Sequence, residues 1–361
     1  MKTITFEPIC FIFVYMSFNV KHLQIYLFFL AVFLFFSCQS NKRPSVAHIK
    51  LQLKIERFDR DLYRGKDKAI VETDSLLFQK YGRFYEDFIS RMVGTPELSR
   101  QEILTTLYRS KPYQDLQQET DSVYPQLHAI ENDLTGAFKY ILYYYPKALI
   151  PRFIAFVSGF AYQIPVGDHY MGIGLDMFLG RNSKFYPALV NSIPRYQSRR
   201  FEPSYIVARL TEEYARQELF RPRDEDQTLL SQMIYNGKIF YFMDQVLAPD
   251  MNDSLKIGYT GRQLAWCQKF EGNIWGVLLE QELLYKTDIQ KIQVYLTDGP
   301  FTPGLGDKAE SAPRLGVWIG WQIVKKYMEA NPEVTIQALM ADQDAQKILI
   351  RSKYKPKLQG E

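Results

Sequence analysis

Apolar and polar side chains alternate between residues 49 and 56. Ile49, Leu51, Leu53 and Ile55 would share one face of an extended chain, and the positions between them are polar or charged. Because successive side chains of a strand point to opposite faces, this period of two predicts a half-buried β-strand. Short apolar runs bounded by glycine or proline predict further strands at 152–158, 162–165 and 170–179.

The rest of the chain has the spacing of amphipathic helices. Between residues 69 and 145, apolar side chains recur every three or four positions, as at Leu127, Leu134, Phe138 and Ile141. Similar patterns predict helices at 203–220, 224–247, 260–284, 288–296 and 313–330. These elements predict an α+β fold that is mainly helical, with a small sheet in its first half. Because no linker interrupts 48–355, we assign 48–361 to a single domain.

A secretory signal precedes this domain. The mostly apolar segment 23–36 has 14 residues, follows Lys21 and is succeeded by Ser37 and Cys38. A bilayer span needs about 20 apolar residues, so the length favours a cleaved signal peptide over a transmembrane anchor. The sequence Leu-Phe-Phe-Ser-Cys at 34–38 looks like a bacterial lipobox. This resemblance implies a lipoprotein whose mature chain begins at an acylated Cys38.

The lipobox divides the start of the chain into a signal peptide at 1–37 and a lipidated tether at 38–47. Met16 as the true start would give a more compact signal, because Glu7 does not suit the basic flank. Acyl chains such as palmitate would attach the protein to a membrane. The export signal of surface lipoproteins in Bacteroidetes is usually acidic, whereas 39–43 has no acidic residue. We therefore expect an anchor that faces the periplasm, on either the inner or the outer membrane.

Charge and cysteine content narrow the classes of function. The formal net charge is +4 and forms no basic stripe, so we expect no nucleic-acid partner. Cys10 would be removed with the signal and Cys38 acylated, which leaves Cys267 as a buried thiol without a disulfide partner. Gly316 and Gly320 form a GxxxG motif in an apolar run too short to span a membrane. The motif predicts close packing of two helices in the core.

Common catalytic motifs are missing from the sequence. It has no HExxH, P-loop, zinc-type Cys/His spacing or GxSxG, and we expect no metal, no cofactor and no catalytic residue. Glu212 and Glu213 lie on a predicted helix with Arg209 and Arg216. The i,i+4 and i,i+3 spacings to Arg216 favour a solvated, salt-bridged helix face over a pair of carboxylates for acid–base catalysis.

From about Ile49 to Pro356 the chain resembles the GldB family of gliding-motility lipoproteins. The resemblance is carried by the order and spacing of short segments: IERFD at 55–59, GIGLDMFLG at 172–180, IPRY at 193–196, IGYT at 257–260, Trp266, IW at 274–275, PRLGVWIG at 313–320 and SKYKP at 352–356. It implies a periplasmic component of the gliding-motility and type IX secretion machinery. Such a protein would act through contacts with other motility or secretion proteins.

That family is similar to zincin-like metallopeptidases, in which a helix following a cleft-lining strand carries HExxH. Here the helix would be 203–220. A register that keeps Glu212 as the base places Thr211 and Ala215 at two zinc-ligand positions and Asn236 at the third. None of the three binds zinc in the usual way.

The resemblance therefore implies a zincin-like scaffold without its metal, in which Thr211, Glu212, Ala215 and Asn236 mark a vestigial cleft. We expect a protein that is not an enzyme. A zincin-related peptidase or other hydrolase, and a lipoprotein that binds a small ligand or glycan, are the alternatives.

Overall fold

The computed structural model describes residues 43–95, 97–222, 226–306 and 311–358. The predicted signal peptide, Cys38 and the first half of the tether, residues 38–42, lie outside the described residues. The strands are β1 (Ile55–Arg57), β2 (Arg152–Phe156), β3 (Val166–Gly167) and β4 (Tyr170–Gly174).

The first helices in the chain are α1 (Phe58–Arg64), α2 (Ile70–Tyr81), α3 (Arg83–Asp87), α4 (Arg100–Arg109), α5 (Lys111–Val123), α6 (His128–Tyr144), α7 (Arg195–Ser198) and α8 (Ile206–Tyr214). They are followed by α9 (Leu229–Val246), α10 (Asp253–Ile257), α11 (Gly261–Lys269), α12 (Glu271–Glu280), α13 (Ile289–Ile292), α14 (Leu315–Ala330), α15 (Ile336–Ala341) and α16 (Ala345–Ser352). Short 3₁₀ or π turns occur at Gly65–Asp67, Phe88–Val93, Leu175–Phe178, Tyr186–Leu189, Pro203–Tyr205, Ala215–Leu219 and Gln293–Tyr295. The described part of the chain is mainly helical with a small sheet in its first half, which confirms the α+β prediction.

The sheet lies between two hydrophobic cores. Its strand order is β1-β2-β4-β3, with β1, β2 and β4 parallel and β3 antiparallel to β4. Along β2, Phe153 and Ala155 enter the larger core, whereas Ile154 and Phe156 enter a smaller, aromatic-rich core formed with α1 to α4. A strand buried on both faces has no polar side. This explains why β2 is a continuous apolar run.

The first predicted strand is shorter than its alternating pattern indicates. Leu53 and Ile55 are buried as expected, but ladder pairing begins only at Ile55. The backbone N–H groups of Leu53 and Ile55 instead donate to Thr135 Oγ1 and Glu131 Oε1, each at 3.0 Å. Side chains of α6 thus take the place of a neighbouring strand.

The strand predicted at 162–165 is wrong, and the strand predicted at 170–179 is too long. Residues 162–165 are not a strand, although the carbonyls of Gln163 and Pro165 accept hydrogen bonds from β4. Pro165 has no N–H with which to continue a ladder. The strand β4 ends at Gly174, where Leu175–Phe178 turns into a 3₁₀ segment.

The GxxxG prediction is confirmed by the contact between α9 and α14. Gly320 lies against the backbone of Met233, and Gly237 lies against the backbone of Gly320. A Cβ atom at either glycine would fall within 3.0 Å of backbone atoms of the facing helix. The absence of side chains therefore sets how closely these two helices approach.

Candidate functional site

The helix that carries Glu212 is held in the core by an apolar face. Pro203–Tyr205 begins the turn, α8 continues it, and a π turn at Ala215–Leu219 ends it. Ile206, Leu210 and Tyr214 of α8 are almost fully buried. Residues four apart lie on one face of the helix, and this face packs into the core. The neighbouring polar residues Thr211 and Glu212 are buried as well.

Glu212 is a buried carboxylate between two guanidinium groups. It is 3% exposed. Its Oε2 accepts from Arg209 Nη1 at 2.5 Å, and its Oε1 accepts from Arg216 Nε and Nη2 at 3.0 and 2.9 Å. Burial raises the pKa of Glu212, but Arg209, Arg216 and Arg314 outweigh burial and lower the pKa to about 2. The prediction of a solvated helix face is therefore wrong for Glu212, because its ion pairs are formed inside the protein.

Glu213 has a different partner from the predicted one. Its Oε1 accepts from Arg209 Nη2 at 3.1 Å, and it forms no ion pair with Arg216. The guanidinium of Arg216 is already occupied by Glu212 and by Asn236 Oδ1, the latter at 2.9 Å. The i,i+4 pair between Glu212 and Arg216 is confirmed, and the i,i+3 pair between Glu213 and Arg216 is not formed.

The other predicted cleft residues have structural contacts. Thr211 is buried and its hydroxyl donates to the carbonyl of Val207 at 2.8 Å. Ala215 is fully buried. Asn236 Nδ2 donates to the carbonyl of Gln232 at 2.8 Å, so its amide is used at both ends. Within the described ranges, no group of three or more His, Cys, Asp or Glu side chains is placed to hold a metal ion.

Glu212 connects the walls of two cavities. A cavity of about 360 Å³, here called the arginine cavity, is lined by Arg200, Arg209, Arg314 and Asp298 together with two glutamines and apolar side chains. A second cavity of about 610 Å³ is bordered by Arg216 and Asn236. Since Glu212 is bonded to Arg209 and to Arg216, it fixes one arginine of each cavity. Of the four predicted cleft residues, Asn236 alone lines either of these two cavities.

Asp176 positions the loop at one side of the arginine cavity. The carboxylate is fully buried, and Oδ2 accepts from the backbone N–H groups of Ser158 at 3.2 Å and Phe160 at 2.7 Å. Oδ1 has no hydrogen-bond partner. Burial raises the pKa of Asp176 to about 6, although the N–H groups of Phe160 and Ser158 oppose this shift. Phe160 has a φ of 68° and borders the cavity, so this carboxylate holds a left-handed residue at the wall.

Asp176 is expected to make stability fall as pH rises. Its pKa of about 6 in the folded protein lies above the ordinary value of 3.8, so the folded state holds this proton more tightly. The contribution to folding is complete below about pH 4 and is lost through pH 6, with a total of about 3 kcal/mol. Urea unfolding from pH 4 to 7 should show that Asp176→Asn gains about this amount relative to the unmodified protein.

The control for this titration is Asp133→Asn, a substitution of an exposed residue in α6. Its difference from the unmodified protein should vary by less than about 0.5 kcal/mol over the same pH range. If the difference in unfolding free energy between Asp176→Asn and the unmodified protein were also constant with pH, the raised pKa of Asp176 would be contradicted.

Sequence reasoning missed the charged residues of the arginine cavity. Arg200 pairs with Asp298, which is 98 positions further along the chain, and no periodicity relates the two. Arg314 and Asp176 lie within segments 313–320 and 172–180, which carried the family resemblance. Membership of these segments was the sequence feature that could have identified the two residues. Cys267 was predicted correctly, since it is buried and its burial raises the pKa of the thiol well above its ordinary value.

Comparison with known proteins gives one result. A family model described as gliding motility protein GldB matches residues 39–356. No curated protein and no solved structure matches the chain. Among the described residues, none of the helices has the length and apolar character needed to span a bilayer.

Proposed function

We infer the function from the premise that the chain belongs to the family of the gliding motility protein GldB, whose model covers most of the sequence. The protein is accordingly a gliding motility protein. We propose further that it is a lipid-anchored, non-catalytic component of the gliding and type IX secretion machinery. In this proposal it faces the periplasm and acts through contacts with other motility proteins. The proposal that the protein is not a catalyst is supported by the environment of Glu212.

The ion pairs of Glu212 support a role without catalysis. A carboxylate that activates water has to take up a proton near the working pH. Glu212 has a pKa of about 2, and both of its oxygens accept hydrogen bonds from arginine. Thr211 and Ala215 occupy the positions at which a zincin-like helix carries its ligands. We therefore propose a zincin-like scaffold that binds no metal and in which Glu212 forms ion pairs with arginines.

Metal analysis tests this proposal against the alternative of a hydrolase. Protein purified without chelators is expected to contain much less than one zinc ion per chain, and added zinc should not raise its melting temperature. A tightly bound, stoichiometric zinc ion would overturn the metal-free proposal and favour a zincin-related peptidase.

Replacement of Cys38 tests the lipid anchor, which lies outside the described residues. Acyl chains contribute about 0.8 kcal/mol per buried CH₂, so two or more chains bind a membrane stably. Cys38→Ala is expected to move the protein from the membrane fraction to the soluble fraction, as measured by immunoblotting after fractionation. The matched control Cys267→Ala should remain in the membrane fraction. If Cys38→Ala stays there as well, the protein is held by something other than this lipid.

Crosslinking in cells tests the proposed contacts. The arginine cavity lies between the segment that follows β4, through Met177, and α8, through Arg209. This is where the proposed scaffold would have its cleft, and we propose it as the docking place for a partner segment. Crosslinked membranes should yield gliding or type IX secretion proteins. Recovery of none of them would contradict the proposed assembly.

A further inference from the structure

The arginine cavity has more positive than negative charge at one end. Arg200 and Arg314 line this end, and Arg199 interacts with both of them from outside the lining. Asp298 is the carboxylate bonded to this cluster, through Arg200. Three guanidinium groups against one carboxylate leave an excess of two positive charges among the described residues. Burial lowers the pKa of all three arginines, and their mutual repulsion adds to this effect. The cluster is thus short of negative charge.

Arg314 is the member of the cluster that has a buried donor without a hydrogen-bond partner. Its Nη2 donates to the carbonyl of Ile257. Its Nε is buried and has no hydrogen-bond partner, and no carboxylate of the described residues lies within ion-pair distance. Glu212 attracts Arg314 from a distance but is bonded to other arginines. Buried donors in proteins are normally satisfied, so an acceptor from outside the chain would complete this site.

The turn at Ile257 and Gly258 holds the cluster in position. Arg199 Nη2 donates to the carbonyl of Gly258 at 2.9 Å and to Gln263 Oε1 at 3.2 Å. Gly258 has a φ of 75°, and a Cβ atom there would lie 2.8 Å from Arg200 Nη1. The turn therefore fixes the guanidinium groups before any ligand arrives, which lowers the entropic cost of binding.

The rest of the cavity wall is mostly apolar. Its side chains are Phe160, Ala161, Met177, Ile193, Phe201 and Tyr205, with Gln163 and Gln197 among them. The volume of about 360 Å³ lies at the lower end of the range for ligand pockets. An inorganic anion would occupy a small part of this volume, and the apolar side chains of the wall would stay in contact with water. The ligand that fits has one anionic group beside an apolar body.

We propose that the arginine cavity binds a carboxylate on a peptide segment of a partner protein, with Arg314 as its main ion-pair partner. The planar guanidinium group matches a carboxylate with two parallel hydrogen bonds, and the apolar wall receives the neighbouring side chain. A chain terminus and an aspartate or glutamate side chain offer the same chemistry. The inference rests on the proposed function, because it names what the docking cleft recognises.

Calorimetric titration of the purified full-length protein tests the proposal. One pair of probes is acetyl-Gly-Phe-Leu with a free carboxyl terminus and the same peptide as its amide. The other pair is acetyl-Phe-Glu-Gly amide and its glutamine counterpart. The carboxylate member of at least one pair should bind about tenfold more tightly than its neutral counterpart, and added salt should weaken binding. Equal affinities within both pairs, or tighter binding of inorganic phosphate than of either carboxylate peptide, would overturn the proposal.

Two substitutions localise the binding. Arg314→Gln should lower the affinity for the carboxylate peptide at least about tenfold, whereas Arg109→Gln, an exposed control in α4, should leave it unchanged. Arg200→Gln provides the same test if Arg314→Gln fails to fold by circular dichroism. Unchanged affinity in a folded variant of either arginine contradicts the assignment.

The experiments distinguish a failure of the cavity assignment from a failure of the proposed function. If crosslinking recovers motility proteins and no carboxylate peptide binds, the inference about the cavity is wrong and the proposed function stands. If the peptides bind at the arginines and no motility protein is recovered, the cavity assignment stands and the proposed function is wrong.

Discussion

Glu212→Gln is expected to lower the free energy of unfolding by about 3 kcal/mol, because it leaves Arg216 without a carboxylate partner and Arg209 with Glu213 alone. The carboxylate is 3% exposed and accepts three hydrogen bonds from these two arginines. A glutamine has about the same shape, so the loss reports charge and hydrogen bonding rather than packing. Urea unfolding at pH 7, monitored by far-UV circular dichroism, measures it.

The neighbouring Glu213→Gln is the matched control. Glu213 is half-buried and forms a single pair with Arg209 at 3.1 Å, so its loss should cost less than about 1 kcal/mol. The pKa of Glu212, lowered from 4.5 to about 2, adds a second signature. Its contribution is present above pH 4.5 and is lost as pH falls towards 2. If Glu212→Gln is no more destabilising than Glu213→Gln, the buried ion pairs do not stabilise this fold.

Gly320→Ala is expected to destabilise the protein by at least about 3 kcal/mol, since the added methyl group would collide with helix backbone that cannot move aside. The Cβ atom would lie against the carbonyl of Met233 in α9, where Gly237 already allows the closest approach from the other side. The higher helix propensity of alanine returns up to about 1 kcal/mol. Thermal and urea unfolding, or loss of soluble expression, would report the effect.

The control for this substitution is Gly136→Ala in α6. A Cβ atom at Gly136 meets nothing within 4 Å, so alanine should leave stability unchanged or raise it by up to about 1 kcal/mol. A Gly320→Ala variant as stable as Gly136→Ala would show that α9 and α14 can separate without cost. That result would also weaken the case for a fixed cavity wall, because α14 begins directly after Arg314.

The predictions for Glu212 and Gly320 concern the same set of packed helices, α8, α9 and α14. Asn236 precedes Gly237 on α9, and Arg314 precedes α14, so the packing of these helices positions polar groups of both cavities. Glu212 on α8 then ties Arg209 and Arg216 to the same framework. We therefore expect substitutions in the helix contact to change the arginine positions as well as stability. The zincin-like origin and the non-catalytic role remain proposals that the zinc and crosslinking experiments decide.

Periodicity was sufficient to predict most helices and the α+β class, because the burial of one face leaves a local pattern in the sequence. The cysteine content predicted the buried Cys267, and the GxxxG motif predicted the close packing at Gly320. Periodicity failed at 162–165, where Pro165 has no N–H for a ladder, and after Gly174, where a 3₁₀ segment follows β4. Asp176 in that segment accepts hydrogen bonds from Ser158 and Phe160, and a local pattern does not show such distant contacts.

Among the four predicted cleft residues, Glu212 has a different environment from the predicted one, because it is buried rather than solvated. Local spacing correctly paired Glu212 with Arg216, because residues four apart meet on any helix. It could not tell that the pair would be buried, since burial depends on which elements cover that face. The sequence alone also pointed to the family, through the order of short motifs from 49 to 356.

The tertiary structure decided which charges meet. Arg200 and Asp298 are 98 positions apart, and Arg314 reaches the carbonyl of Ile257 from 57 positions away. Charged side chains interact through space whatever their separation along the chain, and a linear pattern contains no information about that distance. The helices and the family could therefore be predicted from the sequence, whereas the arginine cavity is formed only by residues that folding brings together from distant parts of the chain.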